Sequence, residues 1–552
     1  MKKILLPLLI LLVTFGFAQT TNKGAPKSWS IATNKSVAKI EMPAIDIQRI
    51  VEQDAINDKK QGTAYRIGIL SEINYNLNSA GVWTDLPNGD RFWRFNISSK
   101  DALHLSVNFN DFYIPNGASL YLYNNDKSDL LGAYTSDNNS DSKILGSWFV
   151  DGDNLWIEYL EPKEVKGLGS LNIYEIIHGY RLGKQHQVFA EQQKALNDSG
   201  DCNQDVDCFV GADFEDKKNV LKHSIAFLNM ANGYICSGGL VNNVNNDNTP
   251  YFLTANHCYT DPDGVSSNPA QYSMRFNWIT AGTPRCAVTT NSSDSSFNTV
   301  NGSILRARNA GSDFMLVEIT GTINPTWDLI YAGWDRSDTN PDFEVGIHHP
   351  SGDIMKVCRD DTGAIKGNNN GAATWQVTTS GGGWELGVTE GGSSGSPLFD
   401  QDGRVIGQLF GGAALCVGTN DNNQIDYYGR FATSWNSGSS STRLKDWLDP
   451  DNTGATFVNS IDNTASVNDS FLEENISVYP NPTKGLLTID LGNLTGNYTL
   501  KVLNFLGQEV ISSKINSELT DINLSRLNSN IYFVKISDTN NNSLVKKIIL
   551  NK

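Results

Sequence analysis

The chain is poor in positive charge and in long apolar stretches. Its 552 residues include 43 Lys and Arg against 60 Asp and Glu, for a formal net charge of −17. A nucleic-acid-binding surface needs basic side chains to neutralise phosphates, and so does electrostatic docking on an anionic membrane. After the first eighteen residues, no apolar run approaches the roughly 20 residues that span a bilayer. The composition therefore argues against a nucleic-acid-binding protein, and we expect no membrane-spanning segment.

Cysteine is absent from both ends of the chain. All seven cysteines lie between Cys202 and Cys416. Six cysteines allow fifteen pairings, so spacing alone does not assign disulfides, and with seven one thiol is left over. Disulfides form and persist in exported proteins. The central region is therefore the part that we expect to be cross-linked.

The first eighteen residues have the pattern of a secretory signal peptide. Lys2 and Lys3 form a positively charged n-region, and residues 5–17 form an apolar h-region. Gly16-Phe17-Ala18 has the pattern of a cleavage site. The apolar stretch is too short for a membrane anchor. We therefore expect cleavage before Gln19 and an exported, soluble protein.

What the chain has in abundance is glycine, aromatic residues and short alternating segments, a composition typical of an all-β protein with many turns. At about 100–200 residues per domain, the length predicts three or four domains. The mature chain divides into a β-rich region 19–194, a cysteine-containing region 195–460, a polar linker 461–474 and a small β-sandwich 475–552. Helical patches are expected near 45–56 and 187–196.

The strongest signal for chemistry is a serine in a glycine-rich turn, Gly391-Gly392-Ser393-Ser394-Gly395-Ser396-Pro397. Glycines let such a turn curl so that neighbouring N–H groups converge where an oxyanion develops. A serine hydroxyl also needs a base and an orienting carboxylate. His257 follows an apolar segment in a Thr-Ala-Asn-His-Cys context, and Asp313 precedes another apolar segment. Each feature alone is weak, but the order His257, Asp313, Ser394 is that of the chymotrypsin-like enzymes.

Region 195–460 resembles the bacterial lysyl endopeptidases, a branch of the chymotrypsin-like serine peptidases. Beyond the three residues above, the resemblance rests on collinear motifs: Gly238-Gly239-Leu240-Val241-Asn242-Asn243, Ala332-Gly333-Trp334-Asp335-Arg336, Ile347-His348-His349-Pro350, Val388-Thr389-Glu390, Gly407-Gln408-Leu409, Tyr428-Gly429-Arg430 and Asp446-Trp447-Leu448-Asp449-Pro450. It implies two six-stranded β-barrels with the active site in the cleft between them.

The resemblance also implies peptide hydrolysis through an acyl-enzyme. His257 would be the general base, Asp313 its orienting carboxylate and Ser394 the nucleophile. The N–H groups of Gly392 and Ser394 would form the oxyanion hole. No metal and no organic cofactor are implied.

By the same resemblance, the cysteines would pair as Cys202 with Cys416, Cys208 with Cys286, and Cys236 with Cys258. Cys358 matches no cysteine of the family and is the expected free thiol.

The pocket for the substrate residue before the scissile bond is expected to be anionic. Trypsin has an Asp six residues before its nucleophile, but that position here is Val388. Lysyl endopeptidases instead supply an Asp in an Asp-x-Tyr-Gly-Arg context, which implies that Asp426 binds the substrate cation, with Phe410 and Gly411 beside it. Phe410 stands where the best-known member has His, and no match to that member's cleft Trp is found. We expect cleavage after Lys, and less strictly after Arg.

The residue before the nucleophile, Ser393, bears on activation. Mammalian digestive enzymes have an Asp at that position, which pairs with the newly cut amino terminus, and a serine does not form that ion pair. We hypothesise that residues 19–194 are a propeptide that assists folding or covers the cleft. Cutting after Lys194 would release the mature protease.

Residues 475–552 resemble the C-terminal sorting domain of the type IX secretion system of Gram-negative bacteria. The resemblance rests on Val478-Tyr479-Pro480-Asn481-Pro482 with Gly485, Gly496-Asn497-Tyr498-Thr499-Leu500, Leu506-Gly507-Gln508 and the basic end from Lys546-Lys547 to Lys552. It implies passage through the periplasm and across the outer membrane, with the type IX machinery as partner, and a released or surface-attached product. An accessory β-domain is the alternative.

Two other functions are open at this point. A surface adhesin built on an inactive protease scaffold would be expected to lack a triad residue, and all three are present. A serine peptidase that cuts after acidic residues would need a cationic or His-lined pocket. In the enzymatic interpretations we expect protein or peptide substrates and a monomer.

Overall fold

The computed structural model describes residues 24–31, 35–182, 198–260, 262, 264–286, 295–377, 383–462, 476–492, 494, 498–504, 509–515, 517, 519–537 and 543–552. The chain divides into two compact units, residues 1–463 and 464–552. Most ordered segments are strands, as expected for an all-β protein. The predicted signal peptide, the helical patch near 187–196 and nearly all of the linker 461–474 lie outside the described residues.

Residues 35–182 form a β-sandwich with one helix, Ile47–Asn57, which confirms the helix expected near 45–56. The Asp46 side chain caps this helix by accepting a hydrogen bond from the Arg49 N–H at 3.2 Å. One sheet contains Lys39–Glu41, Val82–Asp85, Arg91–Ser98, Ser119–Asn124, Leu130–Tyr134 and Asn154–Glu161. The other contains Gly68–Asn76, His104–Tyr113, Leu145–Gly146, Val150–Asp151 and Ser170–Gly179. Apolar side chains of both sheets, Phe95 and Phe109 among them, share one buried core.

The first barrel of region 195–460 is a closed sheet. Five strands follow one another in the order Ser273–Thr280, Ile225–Asn229, Tyr234–Val241, Tyr251–Ala255 and Phe314–Ile319. A bent sixth strand closes the ring, because Ser295–Asn301 pairs with the first of these and Ser303–Asn309 with the last. The bend lies at Gly302, whose φ of +84° suits glycine.

The second barrel has six main strands. Their order is Lys356–Asp360, Glu344–His348, Pro397–Asp400, Val405–Gly412, Asp426–Arg430 and Ala372–Val377, extended by Gln204–Asp205, Ile365–Asn369, Trp334–Asp335 and Phe457–Val458. Two small two-stranded sheets complete the region: Ile330–Tyr331 with Ile461–Asp462, and Cys416–Val417 with Asn420–Asp421. One core joins Phe314 of the first barrel to Phe399 of the second. The all-β, chymotrypsin-like double barrel is therefore confirmed.

Helices are few and short in the rest of the described chain. The α-helices are Glu215–Leu221, Phe431–Trp435 and Lys445–Leu448. The 3-10 turns are Lys27–Trp29, Ser136–Asn138, Lys163–Val165, Lys222–Ser224, Asn256–Cys258, Pro269–Gln271, Pro325–Trp327 and Pro350–Gly352. No described helix is long and apolar enough to cross a membrane.

Three disulfides are formed: Cys202–Cys416, Cys208–Cys286 and Cys236–Cys258. These are the pairs that the family resemblance implies. Cys358 is a free and buried thiol.

The N-terminal sandwich packs on the first barrel. Trp148 of the sandwich contacts Phe227 of the barrel with ring centroids 5.3 Å apart. Gln271 of the barrel donates through Nε2 to Glu175 Oε2 of the sandwich at 2.8 Å. The short strand Tyr65–Arg66 of the N-terminal region also joins the first barrel, by pairing with Tyr234–Val241. The two regions therefore share an apolar and a hydrogen-bonded interface.

The C-terminal unit is a β-sandwich of seven strands in its described part. One sheet contains Ser477–Tyr479, Leu486–Asp490 and Leu519–Asn523, and the other contains Glu509–Ile515, Tyr498–Leu503, Asn530–Ser537 and Ser543–Leu550. Side chains from both sheets, such as Leu487 and Val534, form a core of its own. The unit therefore has what an independent domain needs.

Candidate active site

Strand pairing in the first barrel brings His257 and Asp313 together. Ala255, the last residue of its strand, pairs with Phe314, the first residue of the neighbouring strand. The chain continues from Ala255 into the turn that holds His257, and Asp313 directly precedes Phe314. Asn256 fixes the junction, because its N–H donates to the Asp313 carbonyl at 2.8 Å.

The Asp313 carboxylate accepts two hydrogen bonds from His257, one from the imidazole ring and one from the backbone. Nδ1 donates to Asp313 Oδ2 at 2.7 Å, and the His257 backbone N–H donates to Oδ1 at 2.9 Å. Both side chains are buried. Nε2 has no hydrogen-bond partner among the described residues. This arrangement leaves Nε2 as the ring atom that is free to accept a proton.

The serine turn is bound to the same barrel through Ser237. The Ser237 N–H donates to the Ser394 carbonyl at 2.8 Å, and the Ser237 hydroxyl donates to the Gly392 carbonyl at 2.9 Å. Ser237 follows Cys236, whose disulfide partner Cys258 follows His257. The serine turn, the disulfide and the histidine turn are therefore neighbours, although the sequence separates them widely.

The N–H groups of the serine turn differ in whether they are hydrogen-bonded within the protein. The N–H groups of Ser393, Gly395 and Ser396 donate to carbonyls of the protein. Within the described part of the chain, those of Gly392 and Ser394 make no such bond. Gly395 has to be glycine, since a Cβ there would lie 2.1 Å from Thr254 Oγ1.

Ser393 makes a contact that the sequence reasoning missed. Its hydroxyl lies 2.7 Å from His348 Nδ1 and accepts from the Glu390 N–H at 3.2 Å. In the sequence, His348 and His349 stand out only as part of the motif Ile347-His348-His349-Pro350. They bind different partners, since His349 Nδ1 lies 3.0 Å from the Asp353 carbonyl.

Asp426 lines the same cavity as Ser394, on the strand that pairs with the strand of Gly412. Its Oδ2 accepts from Trp384 Nε1 at 2.9 Å and from Thr389 Oγ1 at 2.7 Å. Its Oδ1 is buried and has no well-formed hydrogen bond among the described residues, although the nearby Ala414 N–H favours the charged form. Burial raises the pKa of Asp426 to about 6. The two carboxylate oxygens thus differ: two side-chain donors hold Oδ2, whereas Oδ1 is buried and only weakly bonded among the described residues.

Trp384 is the second residue that the sequence reasoning missed. Its indole supplies one of the two side-chain donors to Asp426 and is itself buried. The available signal was its position in the glycine-rich stretch Gly381-Gly382-Gly383-Trp384, where so large a residue is unexpected.

Phe410 and Gly411 belong to the strand Val405–Gly412, whose last residue pairs with Asp426. The Phe410 ring meets the His257 ring edge to face, with centroids 6.0 Å apart. Gly411 and Phe410 line the same cavity as Ser394 and Asp426. The adjacent Gly412 leaves the pocket open, because a Cβ there would lie 2.0 Å from Asp426 Oδ1.

A metal is not favoured at the one described group of close ligand atoms. Cys236, His257 and Cys258 bring ligand-type atoms within 4.8 Å of one another. Both cysteines are joined in a disulfide, so neither offers a thiolate.

Residues 196–429 match the family model described as the lysyl endopeptidase C-terminal domain, and residues 477–551 match that of the secretion system C-terminal sorting domain. The chain is a serine endopeptidase whose central region is similar to the lysyl endopeptidases. Its C-terminal region is a sorting domain, and the endopeptidase is secreted or displayed at the cell surface.

A lysyl endopeptidase of Pseudomonas aeruginosa is 26% identical to the endopeptidase over 414 residues, which cover 72% of this chain and 85% of that one. Among solved structures, a serine endoprotease from Yersinia pestis is 14% identical, with a TM-score of 0.26, covering 62% of this chain and 98% of that one. The Deg5 structure is 12% identical, with a TM-score of 0.25, covering 40% of this chain and 90% of that one.

Proposed function

We propose that the endopeptidase cleaves peptide bonds after Lys, and less strictly after Arg, with His257, Asp313 and Ser394 as its triad. The observation that carries the specificity is Asp426, a buried carboxylate that lines the same cavity as Ser394 and has no cation as partner among the described residues. The observation that carries the triad is the pair of hydrogen bonds that joins His257 to Asp313, next to the serine turn.

The chemistry begins with a proton transfer. His257 Nε2 takes the proton of the Ser394 hydroxyl as Oγ attacks the substrate carbonyl. Asp313 holds the imidazole in one orientation and stabilises the imidazolium that forms. The N–H groups of Gly392 and Ser394 bind the oxyanion, a contribution of about 10²–10³ in rate for each donor. His257 then gives its proton to the leaving amine, and a water hydrolyses the acyl-enzyme.

The pocket favours a long cationic side chain because of its charge and its dryness. Ionised Asp426 is buried, so an unpaired charge there is unfavourable until a cation binds. A lysine ammonium is a compact donor that reaches one oxygen, and the charge-assisted hydrogen bond it forms is about twice as strong as a neutral one. A guanidinium prefers a two-oxygen fork, and Oδ2 already accepts two hydrogen bonds. This supports a preference for Lys over Arg.

The N-terminal region, residues 19–194, is proposed to be a propeptide. The 414 aligned residues of the Pseudomonas aeruginosa relative exceed residues 196–429, so the similarity extends beyond the family model. N-terminal sequencing of the secreted enzyme tests this proposal, and we expect Ala195 to be the first residue of the mature enzyme. A fully active enzyme that still starts at Gln19 would contradict it.

The sorting domain is proposed to direct the precursor to the type IX secretion machinery, across the outer membrane. Its match covers residues 477–551, nearly the whole C-terminal unit. An accessory β-domain without a role in export is the alternative, and deletion of the unit separates the two.

Two measurements test the proposed activity. An unfolded protein is digested with the secreted enzyme and the released peptides are sequenced, which should show C-terminal Lys and fewer C-terminal Arg. A fluorophosphonate, which labels reactive serines, should modify the enzyme and should fail to modify Ser394→Ala. Absence of labelling in the processed protein would instead favour the adhesin on an inactive scaffold.

A further inference from the structure

A segment of the N-terminal region lies in the cleft itself. The cavity lined by Ser394, Phe410 and Asp426 is also lined by residues 60–65. Gly62 packs directly on the Phe410 ring, since a Cβ at Gly62 would lie 3.0 Å from Phe410 Cζ. The side chain of Gln61 is fastened to the second barrel, where its Oε1 accepts from Asn369 Nδ2 at 2.8 Å. We call residues 57–66 the cleft segment.

The second half of the cleft segment binds as an added strand. Tyr65 and Arg66 pair antiparallel with Ile235 and Tyr234 of the first barrel. The pairing continues at the next residue, where the Ile67 N–H donates to the Gly233 carbonyl at 2.7 Å. The Tyr65 ring lies on the serine turn, since a Cβ at Gly391 would be 2.6 Å from Tyr65 Cδ2. An extended peptide bound in the cleft would use the same edge.

The first half of the cleft segment is folded into a turn. Thr63 Oγ1 donates to the Lys60 carbonyl at 2.8 Å and lies 3.3 Å from the Asn57 carbonyl. Gly62 takes a φ of +68°, which is not the extended backbone of a peptide strand. Lys60 Nζ donates to Asn57 Oδ1 at 2.8 Å, and the side chain is exposed. Lys60 therefore lines the cavity but is tied to the end of the helix Ile47–Asn57, and among the described contacts it makes no ion pair with Asp426.

A buried charged cluster anchors this segment. Asp54 is fully buried and accepts from Arg66 Nε at 2.8 Å and from the Tyr180 hydroxyl. Arg181 Nη2 lies 3.1 Å from Asp54 and 2.8 Å from Asp58, and its guanidinium stacks 4.6 Å from the centre of the Tyr65 ring. Removing one member of such a cluster leaves a buried charge uncompensated, so the segment is held firmly.

We propose that residues 57–66 are a tethered inhibitor, bound like a substrate at Tyr65 and withheld from cleavage by the turn at Asn57, Lys60 and Thr63. This inference rests on the proposed function and deepens it, because it names the surface that keeps the precursor inactive. Hydrolysis requires the scissile carbonyl to lie against the nucleophile in an extended peptide. The turn prevents that geometry at the Lys60–Gln61 bond while the segment still fills the cleft. The catalytic groups of the precursor are formed and covered, so activation requires only that the segment leaves.

Three full-chain variants test the proposal, with Ser394→Ala as the unreactive blank. Thr63→Val deletes the hydroxyl that closes the turn. Tyr65→Ser removes the ring from the serine turn. Thr135→Val is the matched control, because it removes a comparable bond, from the Asp137 N–H at 3.3 Å, in a turn that does not line the cleft. Melting temperatures confirm that each variant is folded.

The labelling rate of Ser394 by a fluorophosphonate is measured for each uncut precursor, together with the appearance of a fragment that begins at Gln61. We expect slow labelling of the wild type and of Thr135→Val, labelling at least tenfold faster for Tyr65→Ser, and the Gln61 fragment only from Thr63→Val. Equal labelling of wild type and Tyr65→Ser would overturn the proposal. Where the processed enzyme does cut Lys peptides, equal cleavage after Lys60 in wild type and Thr63→Val would overturn it as well. If Tyr65→Ser labels rapidly yet cuts no Lys peptide, the proposed specificity fails while the inhibitor assignment stands.

Discussion

Ser393 and His348 are joined side chain to side chain next to the nucleophile, with Ser393 Oγ 2.7 Å from His348 Nδ1. The same hydroxyl accepts from the Glu390 N–H, so its own proton is directed to the histidine. Burial lowers the pKa of His348 to about 3, which keeps the ring neutral and able to accept that proton. The turn that carries Ser394 is therefore held by a neutral hydrogen bond at the position where mammalian digestive enzymes use an ion pair with a new amino terminus.

The first prediction concerns this bond. Ser393→Ala removes it and leaves His348 Nδ1 buried without a donor, so the turn should loosen and kcat should fall about tenfold, less than the 10²–10³ lost with an oxyanion donor. KM should change little, because the Asp426 pocket is untouched. Steady-state kinetics on a Lys peptide check this.

The matched control is Ser106→Ala, which removes a buried hydroxyl that has no partner among the described residues. It should leave kcat unchanged. Equal kcat values for Ser393→Ala and the wild type would show that the bond does not position the turn.

The second prediction concerns Asp426. Asp426→Asn keeps an oxygen for the Trp384 and Thr389 donors but removes the charge, so kcat/KM on Lys substrates should fall by several orders of magnitude, since truncating a buried charge pair costs about 2–5 kcal/mol or more. Fluorophosphonate labelling of the processed enzyme should be unchanged. Asp402→Asn, an exposed acid paired with Arg404, is the control. Undiminished cleavage of Lys peptides by Asp426→Asn would refute the pocket assignment.

The third prediction is a pH profile. Because the pKa of Asp426 is raised to about 6, the pocket loses its charge as the pH falls through that value, and kcat/KM for Lys substrates should fall with it. The Thr389 hydroxyl favours the charged form, so Thr389→Val should raise the pKa and move the fall to higher pH. Thr389→Ser should restore the original profile.

The pH profile of fluorophosphonate labelling separates this effect from titration of the catalytic base, since the label does not use the Asp426 pocket. A shift of the labelling profile in Thr389→Val, or an unshifted profile on Lys peptides, would contradict the assignment.

The sequence predicts the site where its chemistry is local and fails where contacts cross strands. Ser394 stands in a glycine-rich turn, and His257 and Asp313 each border an apolar strand, so these three local patterns together indicate a triad. His348 has no such local signal, and Trp384 has only its unusual position in a glycine-rich stretch. Each reaches the site only because distant strands and loops meet there, 45 residues away for His348 and Ser393 and 42 for Trp384 and Asp426.

Strands at sheet edges are also hard to predict from the sequence. In the C-terminal unit the sequence predicts strands near 476–479, 486–491, 498–506, 531–536 and 544–550, but it predicts neither Glu509–Ile515 nor Leu519–Asn523, each of which lies at the edge of its sheet. Their residues are mostly exposed or half-exposed, so the apolar alternation that marks a strand is weak. Interior strands such as Tyr498–Leu503 bury every second side chain and were found.

The fourth prediction compares two disulfides. Cys236–Cys258 closes 22 residues next to the base, whereas Cys202–Cys416 closes 214 residues. In the chain-entropy model the longer loop contributes more stability, within the typical 2–5 kcal/mol for a native bridge. Replacing Cys202 and Cys416 by Ala should therefore lower the free energy of unfolding more, and replacing Cys236 and Cys258 should lower kcat more. Urea unfolding, measured in the Ser394→Ala background, checks which pair of replacements lowers stability more. Kinetics of the active enzymes check which pair lowers kcat more. If both rankings are reversed, the assigned roles of the two disulfides are wrong.

The last prediction concerns the C-terminal unit. It is a compact unit with its own core, so deleting residues 475–552 should leave the rest of the chain folded and its free energy of unfolding nearly unchanged. If the unit is read by the type IX machinery, the truncated protein should accumulate in the periplasm with its disulfides formed. Cell fractionation, followed by fluorophosphonate labelling after processing, measures location and folding separately. Full-length Ser394→Ala is the control and should leave the periplasm as the wild type does, because export does not need the nucleophile. Release of the truncated protein at the wild-type level would show that the unit is an accessory domain, and loss of the protein from every fraction would show that it is needed for folding.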